Sequence, residues 1–310
     1  MKVLIVDEKH PSMVPLLEES GLEVDYCFDF DYKKAREVIG SYEGLLIRSK
    51  FFIDDAFLEE ATRLQFIVRA GAGLDLIDLE ACQRRGIEVF GANEANKVAV
   101  AEHLIGMVLS LFNNLVRSDA EIKNNQWLRE ANRGEELAGK TVGVIGFGNN
   151  GGESARRFAA FGCRVLAFDK YKSGFGTEAI KESTLDEIFE EADILTLHIP
   201  LTHETRSWVN NDFFNRFRKN IYFCNVARGE IMVQADLISA LETGKVKGAC
   251  LDVLENEKIK TLSPEQKVRF DYLKNHSRVL ITPHVAGWTF ESYEKINQVL
   301  NDKIRQLLGR

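Results

Sequence analysis

Apolar residues fall along this chain in short blocks, separated by longer stretches in which apolar and polar positions recur with a helical period. The blocks are Val3–Val6, Val24–Cys27, Gly44–Arg48, Gln65–Arg69 and Ile87–Phe90, then Thr141–Gly146, Arg164–Asp169, Ile194–Ile199, Tyr222–Val226, Ala249–Val253 and Val279–Thr282. Few charges interrupt them, and Val, Ile and Leu dominate, as in strands covered on both faces. The intervening stretches carry helix punctuation. Thr184 before Leu185-Asp186-Glu187 is a capping-box pattern, and Gly244 after Ala235–Thr243 marks a C-terminus. Strand and helix alternating in this way predict parallel doubly wound sheets, and two such series predict two α/β domains. Between the series, Val98–Ser118 reads as one apolar helix with no counterpart in a simple βα unit. The polar segment Asp119–Gly139, which holds Trp127, reads as a connecting or subunit-contacting arm.

Composition narrows the function classes. The chain has 310 residues, 45% hydrophobic and 28% charged, which is ordinary for two globular domains. A formal net charge of −7 argues against a nucleic-acid surface. No apolar stretch approaches the ~20 residues that span a bilayer, and Met1–Asp7 reads as a buried first strand rather than a leader. The five cysteines are unpaired in spacing, which suggests free thiols in a reducing cytoplasm and neither a disulfide framework nor a metal site.

The most informative stretch is Lys140–Gly151, in which Gly146, Gly148 and Gly151 form G-x-G-x-x-G after an apolar strand and before the helical Glu153–Phe161. Asp169 closes the next strand. Each part has a job in holding a dinucleotide. Gly146 permits the tight turn, Gly148 lets backbone approach the diphosphate, and Gly151 lets helix and strand pack closely. The helix N-terminus offers N–H groups and a positive dipole end. Asp169 accepts from the ribose hydroxyls and disfavours a 2′-phosphate, so the cofactor expected is NAD; the cations Lys170 and Lys172 soften that preference. Asn150 departs from the usual apolar residue behind the turn.

A dinucleotide of this kind exchanges hydride, and with a keto acid that chemistry requires two protein groups. A cation must hold the carboxylate and polarise the carbonyl, and a group titrating near neutrality must exchange the hydroxyl proton. Arg228 ends a buried strand in a small-residue turn and suits the first role. Of the six histidines, His10, His203 and His276 lie in polar loops, and His103 opens a helix and reads as structural. His198 and His284 both end strands, where ligands bind in such sheets. His284, between Pro283 and Val285-Ala286-Gly287, is the choice for acid and base. The carboxylates of Asp252–Glu257 end another strand.

Together these pieces resemble the D-isomer-specific 2-hydroxyacid dehydrogenase family over nearly the whole chain. Arg69–Asp78 looks like its substrate-carboxylate loop, Leu137–Gly151 its nucleotide motif, and His198-Ile199-Pro200-Leu201-Thr202 its turn beside the cofactor. Asn225-Val226-Ala227-Arg228-Gly229 is similar to its catalytic arginine segment, and Pro283–Gly287 to its catalytic histidine loop. The resemblance implies that Arg228 binds and polarises the 2-keto acid, that His284 is the general acid/base, and that Glu257 rather than Glu255 supports it. It implies that Asp252 holds the nicotinamide carboxamide, and that Ala72, Asn149, Asn150, Ile199, Val226 and Ala227 touch NAD. Gly71, Ala72 and Gly73 meet the substrate. Lys258 stands where the family usually has proline, and the glutamate–histidine pair argues against the formate-dehydrogenase branch, which has glutamine there.

The resemblance also implies a flavodoxin-like substrate-binding domain formed by residues 1–97 and 284–310, a Rossmann NAD-binding domain at 98–283, an active site in the interdomain cleft, and a homodimer through the NAD domain. Leu46-Ile47-Arg48-Ser49-Lys50 resembles the phosphate-side segment of the branch acting on D-3-phosphoglycerate in serine biosynthesis. Arg48 and Lys50 would pair with a phosphate or second carboxylate. Trp127-Leu128-Arg129 resembles a segment that reaches the neighbouring subunit's site. The chain ends near the catalytic fold, so feedback through a C-terminal regulatory domain is not expected. The alternatives in view are a glyoxylate or hydroxypyruvate reductase and a non-catalytic NAD-sensing interaction protein.

Overall fold

Each apolar block becomes a strand of one of two wholly parallel sheets in the computed structural model, which describes residues 1–8, 11–71 and 73–309. The chain divides into two units, Met1–Asn96 with Trp288–Arg310, and Lys97–Gly287.

The first unit contains β1 (Lys2–Ile5), α1 (Met13–Glu19), β2 (Glu23–Tyr26), α2 (Tyr32–Val38), β3 (Gly44–Ile47), α3 (Asp55–Glu60), β4 (Phe66–Arg69), α4 (Leu79–Arg84) and β5 (Glu88–Phe90). Its sheet order is β2-β1-β3-β4-β5, the flavodoxin-like order, which reverses direction between β1 and β3. Cores lie on both faces. One holds Leu4, Leu45, Ile47, Ile67 and Phe57; the other holds Val3, Ile5, Leu46 and Val68. The C-terminal helix Phe290–Leu307 closes the second of these with Ile296, Leu300 and Ile304, because its apolar residues recur at helical spacing.

The second unit opens with α5 (Lys97–Phe112) and α6 (Leu115–Lys123), followed by β6 (Thr141–Ile145), α7 (Asn149–Ala160), β7 (Arg164–Phe168), β8 (Ile180–Glu182), α8 (Leu185–Glu191), β9 (Ile194–Leu197), α9 (Asn211–Asn215), β10 (Ile221–Asn225), α10 (Gln234–Glu242), β11 (Val246–Leu251), α11 (Pro264–Asn275) and β12 (Val279–Ile281). The Phe290–Leu307 helix is then α12. The seven strands run β12-β11-β10-β9-β6-β7-β8. This is the Rossmann arrangement extended by one strand, and it reverses between β6 and β9. Loops after those two strands leave in opposite directions, so a crevice opens at the carboxyl edge of the sheet.

Three expectations need correction. The apolar helix does not run unbroken through Val98–Ser118. Asn114 adopts a left-handed conformation (φ 52°), and α5 and α6 meet at 59°. The Asn113-Asn114 pair has poor helix propensity, and Asn tolerates that conformation better than other side chains. The start of the polar arm, Asp119–Lys123, is therefore helix α6. Strand β8 carries no apolar block, because its sequence is Ile-Lys-Glu at a sheet edge and only Ile180 is buried. Finally, the contact division falls after Gly287, not before His284. The His284 loop is held by the second unit, as its hydrogen bonds below explain.

Among the described residues no single helix is long and apolar enough to cross a membrane; α5 and α6 pass that test only as a bent pair. Much of α5 is core, with Val100, Leu104, Ile105, Val108 and Phe112 buried in one cluster with Val142 and Val144 of β6 and Ala155 and Phe158 of α7.

Candidate active site

Five neighbouring strands of the second sheet, β12, β11, β10, β9 and β6, deliver candidate residues to one carboxyl edge. Gly146 follows β6, His198 follows β9, Arg228 follows β10, Asp252 follows β11 and His284 follows β12.

The glycine turn is a cradle that side chains cannot enter. Gly146 has φ +95°, and a Cβ there would lie 2.6 Å from the His198 carbonyl oxygen. A Cβ on Gly151 would lie 1.8 Å from the Gly146 oxygen, so turn and helix touch backbone to backbone. Gly148 caps α7 with no side-chain hydrogen bond, and a Cβ there would meet nothing within 4 Å. The first N–H groups of a helix have no partner within it, and the space beside Gly148 is open, as a diphosphate requires. The exposed Asn149 and half-buried Asn150 begin that helix, and Asn150 Oδ1 is buried with no hydrogen-bond partner. Ile199 Cγ2 would be 2.9 Å from a Cβ on Gly146. These features fit a dinucleotide.

Asp169 does more than the sequence reading gave it. Oδ2 accepts the Phe147 N–H (2.8 Å), and Oδ1 accepts those of Tyr171 (2.9 Å) and Lys172 (3.1 Å). A carboxylate offers about four acceptor directions, so roughly one remains for a ribose hydroxyl. Lys170 is paired with Glu204, and Lys172 Nζ donates to the Phe147 carbonyl (3.2 Å).

The loop after β10 is built by Asn225, which is wholly buried. Its Oδ1 accepts the Ala227 N–H (3.0 Å) and its Nδ2 donates to the Arg228 carbonyl (3.0 Å). Gly229 has no room for a side chain, since a Cβ would stand 1.9 Å from the Leu254 oxygen. Val226 and Ala227 are buried, so any contact they make with a ligand runs through backbone. The Arg228 guanidinium donates to the Ala227 carbonyl (2.7 Å).

Geometry separates the carboxylates that the sequence left open. His284 Nδ1 lies 2.9 Å from Glu257 Oε2. Glu255 instead accepts the Gln234 N–H at the start of α10 (3.1 Å) and pairs with Arg269. Lys258, in the place of the family's proline, donates its N–H to Asn256 Oδ1 (2.9 Å), a bond proline lacks. The two strand-end histidines also separate. Burial lowers the His198 pKa to about 3, and its Nε2 meets Thr196 Oγ1 at 3.1 Å. His198 is thus held toward its neutral form and bonded to its own strand. Pro283, His284, Glu257 and Leu254 border a cavity of about 580 Å3.

Asp252 is 2% exposed. Oδ1 accepts the Thr282 hydroxyl (2.5 Å) and the Val285 N–H (2.9 Å), and Oδ2 accepts the Ala286 N–H (2.8 Å). Its carbonyl accepts the His284 N–H (2.8 Å). The family resemblance implies that Asp252 holds the nicotinamide carboxamide. In the structure its carboxylate binds the histidine loop, which is why Pro283–Gly287 stays with the second unit. His103 and Thr282, adjoining this carboxylate, were not among the expected site residues; their partners are far away in sequence, and no local pattern marks them.

The remaining candidates belong to the first unit. Asp7, after β1, accepts the N–H groups of Arg48 (3.0 Å), Ser49 (2.7 Å) and Lys50 (2.9 Å), after β3. Lys50 Nζ donates to the Val6 (2.8 Å) and Phe28 carbonyls. The Arg48 guanidinium stacks 3.9 Å above the Trp288 ring, with Tyr293 at 5.8 Å. Gly71 sits against Arg69, whose Nε donates to the Arg48 carbonyl (2.9 Å), and Gly73 follows in the same loop. Ala72, expected at cofactor and substrate, and His10 lie outside the described residues.

Residues 105–286 match the family model for the NAD-binding domain of D-isomer specific 2-hydroxyacid dehydrogenases. The chain belongs to that family. It is 32% identical over 308 residues to the D-3-phosphoglycerate dehydrogenase of Bacillus subtilis, a match covering 98% of this chain and 56% of the relative. It is 33% identical over 273 residues to the hydroxypyruvate reductase of Thermotoga maritima, covering 88% of this chain and 87% of the relative. The chain thus spans little more than half the length of the phosphoglycerate dehydrogenases it matches. Among solved structures, the D-lactate dehydrogenase of Aquifex aeolicus complexed with NAD and lactic acid superposes with a TM-score of 0.85 at 27% identity, covering 100% of this chain and 96% of that one.

Proposed function

We propose that this chain is an NAD-dependent dehydrogenase interconverting a D-2-hydroxy acid and its 2-keto acid, with D-3-phosphoglycerate and 3-phosphohydroxypyruvate as the favoured pair. The observation that carries the reading is the His284–Glu257 contact at 2.9 Å, on the sheet edge that also bears Arg228 and the glycine turn.

In the reducing direction Arg228 holds the substrate carboxylate through its planar fork and draws charge onto the carbonyl oxygen. Bound NADH supplies the hydride to the carbonyl carbon. Glu257 engages His284 Nδ1 and so leaves Nε2 to donate the proton to the carbonyl oxygen; oxidation returns that proton to Nε2. Asp169 favours NAD over NADP, because its carboxylate faces the expected ribose and Lys170 is neutralised by Glu204. The resemblance of Leu46–Lys50 to a phosphate-side segment supports the phosphorylated acid, with Arg48 proposed as its anchor. The Thermotoga relative favours hydroxypyruvate as the second reading.

A panel assay with NADH and 3-phosphohydroxypyruvate, hydroxypyruvate and glyoxylate tests this. The expected result is turnover of all three, with kcat/KM about 100-fold higher for the phosphorylated acid, the worth of one charge-assisted anchor. Absence of turnover on every 2-keto acid would overturn the reading.

The partner proposed is a second copy of the chain, seated on the second unit. Leu115 (52%), Val116 (60%), Ile122 (50%) and Trp127 (84%) are exposed along α6 and the segment after it, a density of apolar surface unusual for a free face. Sedimentation equilibrium is expected to return a dimer mass for the wild type and a shift toward monomer for Val116→Asp; a monomeric wild type would contradict it. Four of the free cysteines, Cys82, Cys163, Cys224 and Cys250, are buried, which suits a reducing, cytoplasmic setting.

A further inference from the structure

His284 has φ +56°, in the left-handed region that non-glycine residues mostly avoid. Such a conformation persists only where surrounding contacts impose it. Here they come from Asp252 after β11, Thr282 after β12 and His103 on α5. The His284 N–H donates to the Asp252 carbonyl (2.8 Å), and the next two N–H groups donate to the Asp252 carboxylate. That carboxylate is in turn fixed by Thr282 Oγ1 at 2.5 Å, and Thr282 Oγ1 lies 3.0 Å from His103 Nε2 on α5.

The proton inventory fixes the direction of this chain. A carboxylate only accepts, so the single Thr282 hydroxyl hydrogen points at Asp252. The hydroxyl oxygen must then accept from His103, and His103 Nε2 carries the hydrogen. The same nitrogen is 3.6 Å from Asp252 Oδ1, so its positive edge faces the buried charge. Without Thr282 and His103, Asp252 would keep its two backbone donors but lose the two groups that hold its plane.

We propose that His103 and Thr282 are positioning residues for the reaction, acting through Asp252 to hold the left-handed loop that presents His284 to Glu257. The inference rests on the reading of His284 as acid and base.

The test uses the full-length chain with NADH and hydroxypyruvate as probes, and compares Thr282→Val, Thr282→Ser, His103→Leu and His103→Gln. Thr282→Val is expected to lower kcat about 30-fold and His103→Leu about 10-fold, the scale of a misaligned proton exchanger, with KM for NADH within threefold. Hydrogen exchange at the 284–287 amides should quicken in both. Thr282→Ser and His103→Gln retain a hydroxyl and a donor, and should restore both readouts. Retention of kcat in Thr282→Val and His103→Leu, or loss of kcat without faster exchange at 284–287, overturns the proposal. If Thr282→Val does not fold, His103→Leu and its glutamine rescue decide alone. His284→Ala in the same assay separates the two readings. If it stays active, the acid/base assignment falls; if it is inactive while the Thr282 and His103 variants are fully active, only the positioning role falls. A wild type that turns over no 2-keto acid refutes the dehydrogenase reading and this inference with it.

Discussion

His284→Ala is expected to lower kcat about 1,000-fold or more while changing the Kd for NADH less than about threefold. The magnitude is that of removing a positioned general acid. The expectation of intact cofactor binding comes from separation along the sheet. The glycine turn lies after β6 and His284 after β12, with β9, β10 and β11 between them. The histidine side chain also takes no part in the loop's own bonding, because Asp252 binds backbone N–H groups there, which alanine keeps. Alanine also tolerates φ +56° as poorly as histidine does, so stability should change little. Glu257→Gln keeps a carbonyl oxygen toward Nδ1 and so keeps the ring oriented; its loss should be smaller, about 10- to 100-fold. Stopped-flow single turnovers with NADH separate the binding and chemical steps. A His284→Ala enzyme that keeps kcat within tenfold of the wild type would remove the acid/base assignment.

Which parts of this site were legible in the sequence follows from how local their physics is. The glycine turn could be read because backbone contact excludes side chains at Gly146 and Gly151, and that demand is written into residues five apart in one segment. Strands β1, β6 and β9 were legible as near-continuous apolar blocks, because a parallel strand is covered on both faces. Strand β8 was not, since an edge strand with one buried residue has no such signature. The break at Asn114 was hidden by apolar residues on both sides of it: Phe112 belongs to the core, whereas Leu115 and Val116 are exposed. Hydropathy reports both alike. The loop-holding bonds of Asp252 were not legible for a related reason. Its bonds reach Thr282, Val285 and Ala286, more than 25 residues on, and His103 reaches Thr282 across 179 residues. No spacing rule connects such positions before the sheet order is known. The choice of Glu257 over Glu255 came from the resemblance and not from spacing, because both follow β11; the structure adds that Glu255 is engaged by the Gln234 N–H and by Arg269.

Arg228→Gln is expected to lower kcat/KM for 2-keto acids by about 10,000-fold, divided between KM and kcat. Two losses combine. A bidentate, charge-assisted contact to the substrate carboxylate contributes about 2–3 kcal/mol, and withdrawing a cation from a developing alkoxide costs about 3 kcal/mol more; together they amount to roughly four powers of ten. The loop itself should survive. Asn225 grips the backbone of Ala227 and Arg228 and not the guanidinium, and Gly229 is seated against the Leu254 carbonyl whatever side chain precedes it. Glutamine also keeps an N–H able to reach the Ala227 carbonyl, which the arginine now contacts. NADH affinity and melting temperature are therefore expected to stay near wild type. Arg228→Lys distinguishes charge from shape. It retains the positive charge but not the fork, so its kcat/KM should fall between the two, about 100-fold above glutamine. If lysine and glutamine were equally impaired, planar bidentate recognition would account for nearly the whole effect and carbonyl polarisation for little. If both kept wild-type kcat/KM, the carboxylate anchor would have to lie elsewhere, and the assignment of Arg228 would fail.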